Sequence, residues 1–359
     1  MPVHISAVVG ARPNFMKMAP ILEEARRRSG IATRLIHTGQ HYSPEMSDTF
    51  FTELGMPAPD VNLEAGGGSH TAQTAGIMLK LEAEFAGRRP DLLLVVGDVN
   101  STMAATLVAA KMEIPVAHVE AGLRSFDRHM PEEINRLVTD TLSDYLFASE
   151  PSGVQNLVAE GVPREKIFLV GNVMIDTLLK FRGKAAQSGV LERLGLKSRS
   201  YAVTTLHRPS NVDDTEHLAA LVNMLSELAG RLPVVFAVHP RTKSRMEAAG
   251  IPVSRLILTP PLGYLEFLRL TSEARLVLTD SGGIQEETTI LGVPCLTLRE
   301  NTERPITITE GTNRLVGTDP ARILAAAVEA LDAPMRASKA PDLWDGHASS
   351  RILDVLEHR

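Results

Sequence analysis

The chain alternates between segments typical of strands and segments typical of helices. Short β-branched runs such as HISAVV, DLLLVVGD and IPVAHVE are separated by stretches with helical apolar spacing, for example STMAATLVAAKM. Near residue 170 the alternation begins again, with SYAVTTLH, LPVVFAVHP and ARLVLTD as strands. Because such alternation builds parallel sheets covered by helices on both faces, the sequence predicts an α/β fold with two doubly wound halves.

The length of 359 residues exceeds the size at which a single hydrophobic core stops growing, which predicts two domains. We expect a first domain over residues 1–170, a second over 171–347, and a C-terminal helix over 348–359 that packs back on the first. The formal net charge of −6 argues against nucleic-acid binding. The opening residues have no basic leader and no apolar run of membrane-spanning length, so we expect a cytoplasmic protein without membrane contact.

Two negative observations limit the chemistry. The single cysteine, Cys295, lies in the apolar run VPCLTL, where a buried unreactive thiol is expected. The sequence has no convincing metal-ligand spacing and no GxGxxG motif, so we expect neither a metal nor a dinucleotide cofactor.

Ligands of open parallel sheets bind at the carboxyl ends of the strands, so polar residues that follow a strand are the candidates. Arg12 follows the first strand and Lys17 is expected in the first turn of the next helix, a combination that favours an anion site at a helix N-terminus. The alternative is a turn with Pro13 near the helix start and two solvated cations.

Carboxylates follow the next two buried strands. Asp98 ends LLLVVGD and Glu120 ends IPVAHVE, so both are expected at one edge of one sheet, with Glu132 shortly after. The structural alternatives are a helix N-cap for Asp98 and a surface ion pair between Glu132 and Arg136, which are four residues apart.

The second half carries features suited to phosphate. His207 and His239 each close a strand beside an arginine, although most histidines in proteins are structural. In TDSGGIQEE, the pair Gly282 and Gly283 lets backbone amides approach a ligand, and Glu286 or Glu287 suits a ribose diol. The alternative is an ordinary helix cap. Anion-binding loops in both halves plus carboxylates in the first favour a nucleotide sugar as ligand.

With these residues identified, the chain resembles the non-hydrolysing UDP-N-acetylglucosamine 2-epimerases. GARPNFMKMAP is similar to the opening of that family, and TGQH, VGD, HVEAGLR, PEEINR, HRPSN, TDSGGIQEE and TERP occur in its order and spacing. The resemblance extends over nearly the whole chain. It implies the GT-B arrangement of two Rossmann-like domains around a central cleft, a homodimer, and no cofactor.

The resemblance also implies roles for individual residues. The catalytic residues would be Asp98, Glu120, Glu132 and His207. The residues that bind the UDP-sugar would be Arg12, Lys17, Arg136, His239, Phe267, Ser281, Gly282, Gly283 and Glu287. From helical spacing alone, Phe267 reads as a core residue.

The segment after the second strand departs from the family pattern. In many members this region binds a second UDP-N-acetylglucosamine as an activator, and Gln40 and His41 are the matching residues here. They are followed by YSPEM, with tyrosine in place of the arginine of those members.

The implied activity is reversible epimerisation at C2 of UDP-N-acetylglucosamine, through elimination of UDP and its re-addition. Three alternatives remain open at this stage: a 2-epimerase of a modified sugar such as UDP-2,3-diacetamido-2,3-dideoxy-glucuronic acid, a hydrolysing 2-epimerase, and a GT-B glycosyltransferase.

Overall fold

The computed structural model describes residues 2–40, 53–334 and 339–358, without the side chain of Arg12. The chain separates into two compact units, Met1–Thr177 with Asp342–Arg359, and Leu178–Pro341. No helix in the described ranges is long and apolar enough to cross a membrane.

The first unit contains a seven-stranded parallel sheet with the strand order β3-β2-β1-β4-β5-β6-β7. Its strands are β1 (Val3–Val9), β2 (Ile31–His37), β3 (Val61–Asn62), β4 (Leu92–Val96), β5 (Val116–Ala121), β6 (Tyr145–Ala148) and β7 (Ile167–Leu169). The helices that follow them are α1 (Arg12–Ala25), α2 (His70–Gly87), α3 (Asn100–Lys111), α4 (Pro131–Leu142) and α5 (Pro151–Ala159). Every residue of β4 is buried, as expected for a central strand covered on both faces.

Helix α6 (Val173–Ala185) contains the boundary between the two units. The second unit has a six-stranded parallel sheet with the order β10-β9-β8-β11-β12-β13. Its strands are β8 (Ala202–Thr205), β9 (Val234–Ala237), β10 (Ile257–Thr259), β11 (Leu276–Thr279), β12 (Cys295–Thr297) and β13 (Asn313–Leu315). Its helices are α7 (Val190–Arg193), α8 (Pro209–Val212), α9 (Thr215–Leu228), α10 (Pro240–Ala248), α11 (Tyr264–Ser272), α12 (Gly282–Leu291), α13 (Ile306–Thr309) and α14 (Pro320–Asp332).

The last helix, α15 (Ala348–Glu357), packs against α1 in the first unit. The Asp176 carboxylate accepts hydrogen bonds from the backbone N–H groups of Ala348 (3.1 Å) and Ser349 (2.7 Å), which satisfies the start of this helix. Trp344, fully buried just before it, donates its indole N–H to the carbonyl of Ser149.

The fold prediction is confirmed: each sheet is parallel and doubly wound, with the strand order of a Rossmann-like domain. Cys295 is buried at the start of β12, and burial raises the pKa of its thiol to about 12, as expected for an unreactive cysteine.

Candidate active site

The strand order of each sheet reverses once, between β1 and β4 in the first unit and between β8 and β11 in the second. Loops diverge at such a switch point and leave a crevice at the carboxyl ends of the strands. Most predicted residues of the first unit follow β1, β4 and β5, whereas Gln40 follows β2. Those of the second unit follow mainly β8 and β11. Each unit therefore has most of its candidates at its own switch point.

Lys17 and Glu120 form a buried ion pair in the first unit. The Lys17 ammonium, on the second turn of α1, contacts Glu120 Oε2, and the two residues are only 6% and 7% exposed. A charge buried at this depth is tolerated because its partner compensates it, whereas removal of one partner would leave a costly uncompensated charge.

The backbone around this pair has an unusual conformation. Glu120 has φ of 73°, in the left-handed region that a residue with a side chain seldom adopts, and the register of β5 with β6 shifts between Val119 and Ala121. A bulge of this kind redirects a side chain, and both bulges and strained residues concentrate at functional sites. Gly97, with φ of 70°, lies opposite: a β-carbon there would be 3.2 Å from Glu120 Oε2 and 3.3 Å from Lys17 Nζ.

Asp98, next to Gly97, binds a buried arginine. Arg136 on α4 places Nη2 2.7 Å and Nε 3.1 Å from Asp98 Oδ2, while its Nη1 donates to Glu133 at 2.8 Å. Arg136 is 2% exposed, so the alternative of a solvated surface ion pair does not apply to it. Glu133 in turn accepts the N–H groups of Ser125 and Phe126, so it has the structural role of fixing the loop before α4.

The remaining candidates of the first unit are Glu132, Arg12, Gln40 and His41. Glu132 is half-buried in the first turn of α4. The backbone of Arg12 begins α1, but its side chain lies outside the description. Gln40 accepts hydrogen bonds from the N–H and hydroxyl of Ser101, and His41 lies outside the described residues.

His207 and Asp280 form the centre of the site in the second unit. His207 Nδ1 lies 2.7 Å from Asp280 Oδ1; the histidine side chain is 45% exposed, whereas the aspartate is fully buried. Asp280 also accepts the backbone N–H groups of His207 and Arg208 and the side-chain amide of Asn211. Burial by itself raises the pKa of Asp280, but the charge of His207 and these hydrogen bonds outweigh it and hold the pKa below its usual value. The carboxylate thus fixes the orientation of the imidazole.

The N-terminus of α12 follows directly. Ser281 is the N-cap residue, but its side chain makes no capping hydrogen bond. A β-carbon on Gly282 would lie 2.5 Å from Nη1 of Arg304, so the arginine packs tightly against the backbone of the first helical turn. Arg304 also donates to Glu286 Oε1 at 2.6 Å. A helix N-terminus beside a guanidinium, with Gly283 in the same turn, attracts an anion.

Glu287 lies one turn further along α12, and it is 4% exposed. The hydroxyl of Tyr264 donates to Glu287 Oε1 at 3.2 Å. Burial raises the pKa of Glu287 to about 7, with the hydrogen bond from Tyr264 acting in the opposite direction and nearby Glu286 adding to the rise. Phe267 is on the same helix as Tyr264, three residues later, and it is half-buried and not part of the core.

His239 is the N-cap residue of α10. It is exposed at the end of β9, where its Nδ1 caps α10 by accepting the N–H of Arg241 at 3.3 Å. Helix α10 is tied to the His207 loop, because the Thr242 hydroxyl donates to the carbonyl of Leu206 at 3.2 Å.

Sequence reasoning missed Asp280 and Arg304 as site residues. The signal for Asp280 was its position at the end of a strand, directly before Ser281 and the glycine pair. Arg304 belongs to the TERP motif but follows no strand directly, and only the fold brings it to the start of α12.

Comparison with known proteins shows which family the chain resembles. The sequence profile of the family described as UDP-N-acetylglucosamine 2-epimerase matches residues 23–357. The chain is 42% identical to the UDP-N-acetylglucosamine 2-epimerase of Methanocaldococcus jannaschii, over 99% of each chain. It is 39% identical to the UDP-2,3-diacetamido-2,3-dideoxy-D-glucuronate 2-epimerase of Pseudomonas aeruginosa, over 98% of this chain and 99% of the relative.

Solved structures give the same relationship. The crystal structure of the Methanocaldococcus jannaschii UDP-GlcNAc 2-epimerase in complex with UDP-GlcNAc and UDP matches 99% of this chain and 100% of its own, with 40% identity and a TM-score of 0.93. The match of the profile, the sequence identity and the fold extend over essentially the whole chain. The protein therefore belongs to the UDP-N-acetylglucosamine 2-epimerase family.

Proposed function

We propose that the protein interconverts UDP-N-acetylglucosamine and UDP-N-acetylmannosamine by inverting C2 of the sugar. The observation that carries this proposal is the pair of carboxylates, Asp98 and Glu120, at the ends of neighbouring strands, in a chain that matches 2-epimerases over its whole length. A glycosyltransferase of this fold would give no reason for carboxylates clustered in this way.

The chemistry of C2 explains why such a cluster is needed. No carbonyl acidifies the C2 proton, so its removal becomes feasible only as the bond from C1 to the diphosphate breaks and C1 gains positive charge. Carboxylates near the ring stabilise that charge, and one of them accepts the proton. The products are UDP and 2-acetamidoglucal, and re-addition with protonation from the opposite face inverts C2.

We assign the acid and base roles to Asp98, Glu120, Glu132 and His207. Proton delivery to two opposite faces needs two different groups, and this set supplies them. Glu120 beside Lys17 and Asp98 beside Arg136 are carboxylates with their charge already compensated. His207, held by Asp280, is suited to hydrogen-bond with the leaving phosphate.

The remaining candidates bind the nucleotide in this proposal. The first turn of α12, with Ser281, Gly282 and Gly283, receives the diphosphate, with Arg12, Lys17 and His239 as further cationic or polar contacts. Glu287 accepts hydrogen bonds from the ribose hydroxyls, and Phe267 lies against the uracil. Gln40 and His41 belong to a second nucleotide site. We also propose a cytoplasmic homodimer, from the family resemblance; light scattering of the purified protein tests the dimer.

The test is proton exchange at C2. The purified protein is incubated with UDP-N-acetylglucosamine in deuterated water, without added metal or nicotinamide cofactor, and the sugar is followed by proton NMR. Deuterium at C2 together with UDP-N-acetylmannosamine is the expected result. Free N-acetylmannosamine with UDP would indicate a hydrolysing enzyme.

A parallel incubation with UDP-2,3-diacetamido-2,3-dideoxy-glucuronate covers the modified sugar, because a relative that is 39% identical carries that name. If only the modified sugar exchanges its C2 proton, the unmodified sugar is refuted as substrate. If neither sugar exchanges, the proposed function is refuted. Glu120→Gln should lower the exchange rate by about 10²-fold or more, as for loss of a general base. Glu165→Gln, an exposed position before β7, is the matched control and should retain the wild-type rate.

A further inference from the structure

A fully buried histidine lies beneath the carboxylate cluster. His118 is on β5, two residues before Glu120, and it is 0% exposed. Its Nε2 is 2.9 Å from the carbonyl oxygen of Gly97, and its Nδ1 is 2.6 Å from Asp140 Oδ1 on α4. Both ring nitrogens are therefore within hydrogen-bond distance of a protein oxygen.

Both of these oxygens belong to groups that accept hydrogen bonds. A backbone carbonyl cannot donate, so His118 Nε2 must carry a hydrogen. Asp140 already accepts from Arg124 Nη1 at 2.7 Å and from the N–H of Gly122 at 3.0 Å, which is the environment of an ionised carboxylate. Such a carboxylate requires a hydrogen on His118 Nδ1 as well.

The charges around the ring balance only if the ring is cationic. Arg124 grips Glu160 through Nε (2.7 Å) and Nη2 (2.6 Å), in addition to its contact with Asp140. With His118 doubly protonated, the group contains two cations and two anions. Burial by itself raises the pKa of Asp140, but the charges of His118 and Arg124 outweigh it and hold the pKa below its usual value.

The His118 ring hydrogen-bonds to the turn that contains Gly97 and Asp98. Helix α4 reaches this turn twice: Arg136 binds the Asp98 carboxylate, and Asp140, one helical turn later, reaches the Gly97 carbonyl through His118. The opposite side of Gly97 faces Lys17 and Glu120.

We propose that His118 is a positioning residue, held in its doubly protonated form, that locks the turn of Gly97 and Asp98 to helix α4. This inference rests on the proposed function, because it matters for catalysis only if Asp98 acts on the sugar. His118 does not touch the substrate in this proposal; it sets the orientation of a group that does.

The protonation state is measured first, on the wild-type protein labelled with ¹⁵N-histidine. Two protonated ring nitrogens are expected for His118, because each nitrogen faces an acceptor oxygen. The signals are assigned by their loss in His118→Asn. A ring with one unprotonated nitrogen would overturn the proposal, whether or not the protein has epimerase activity.

Two variants then test the positioning role. His118→Asn keeps an amide near Nδ1, facing Asp140, and His118→Gln keeps one near Nε2, facing Gly97. Each should lower kcat by about 30- to 100-fold, the effect of a small misplacement of a catalytic group, while KM and the Kd for UDP change by less than about threefold. The matched control His4→Asn, exposed on β1, should match the wild type.

An unchanged kcat in either folded variant would overturn the positioning role, as would a rise in KM that accounts for the whole loss. If wild-type protein fails to exchange C2 of any UDP-sugar, the proposed function has failed instead. The protonation of His118 is decided by the NMR measurement in either case.

Discussion

Glu287 makes the stability of the second unit depend on pH. Its pKa is about 7 in the folded protein, against an ordinary value of 4.5, chiefly because the carboxyl is buried. The folded protein therefore binds this proton more tightly than the unfolded chain does. Ionisation of Glu287 disfavours folding, by an amount that grows from about pH 4.5 and is complete above about pH 7.

The magnitude follows from the two pKa values. A tenfold difference in proton affinity is worth about 1.4 kcal/mol, so ionised Glu287 costs about 3 kcal/mol of unfolding free energy at pH 8. Glu287→Gln cannot ionise and retains an acceptor for the Tyr264 hydroxyl. The variant should thus be about 3 kcal/mol more stable than the wild type at pH 8 and nearly equal to it at pH 4.5.

Urea unfolding followed by hydrogen exchange in β8 and β11 is the appropriate assay. The only tryptophan, Trp344, belongs to the first unit, so its fluorescence would not report on the second. Glu247→Gln, exposed on α10, is the control and should show little pH-dependent difference. A stability difference between Glu287→Gln and the wild type that is independent of pH would refute the reasoning.

The same titration should appear in nucleotide binding. If the ribose hydroxyls donate to Glu287, UDP prefers its ionised form, and lowering the pH from 8 to 5.5 should weaken UDP binding by up to about 30-fold more in wild type than in Glu287→Gln. The comparison with the variant removes the titration of UDP itself. Equal pH dependence in both proteins would exclude Glu287 from the ribose site.

Three further predictions concern single positions. Gly97→Ala should abolish C2 exchange, because the new methyl group would lie 3.2 Å from Glu120 Oε2 and the left-handed backbone would cost about 1 to 2 kcal/mol; normal exchange would contradict this. Lys17→Met should reduce the unfolding free energy of the first unit by about 3 kcal/mol, measured by Trp344 fluorescence in urea, because it removes the ammonium that contacts the buried Glu120 carboxylate; an unchanged midpoint would contradict the pairing. Cys295 should resist thiol reagents at pH 8 in the native protein and react after unfolding, whereas reaction in the folded state would contradict its burial.

Much of the fold was predictable because its signals are local. The alternation of strand and helix indicated two doubly wound halves, and the position of Asp98 after β4 indicated its place at the sheet edge. Contacts between distant segments have no such local signal. Helix α1 ends at Ala25, and Arg28 then reaches Asp354 at 2.7 Å, near the far end of the chain.

The pairings inside the site could not be predicted, because they join distant parts of the sequence. Lys17 and Glu120 are 103 residues apart. Asp280 accepts a hydrogen bond from the backbone N–H of His207, 73 residues earlier, and no local sequence pattern indicates this pairing. The left-handed conformation of Glu120 is equally hidden, since no turn residue such as glycine or asparagine marks it. Spacing placed Phe267 in the core for a similar reason: a helical pattern does not show which apolar residue lies at the margin of the buried face.

Glu120 and Glu287 each disfavour folding, but for different physical reasons. Glu120 has a left-handed backbone, which costs about 1 to 3 kcal/mol, but its charge is compensated by Lys17. Glu287 has an ordinary helical backbone, but burial disfavours its charge. Residues that destabilise the fold are retained where function requires them, because selection for stability alone would replace them. The two costs concern different proposed roles: the Lys17–Glu120 pair belongs to the group proposed for proton transfer, whereas the pKa of Glu287 near 7 makes nucleotide binding sensitive to pH. Changes of pH between 6 and 8 should therefore act on UDP affinity through Glu287 even in a variant that has lost catalysis at Glu120.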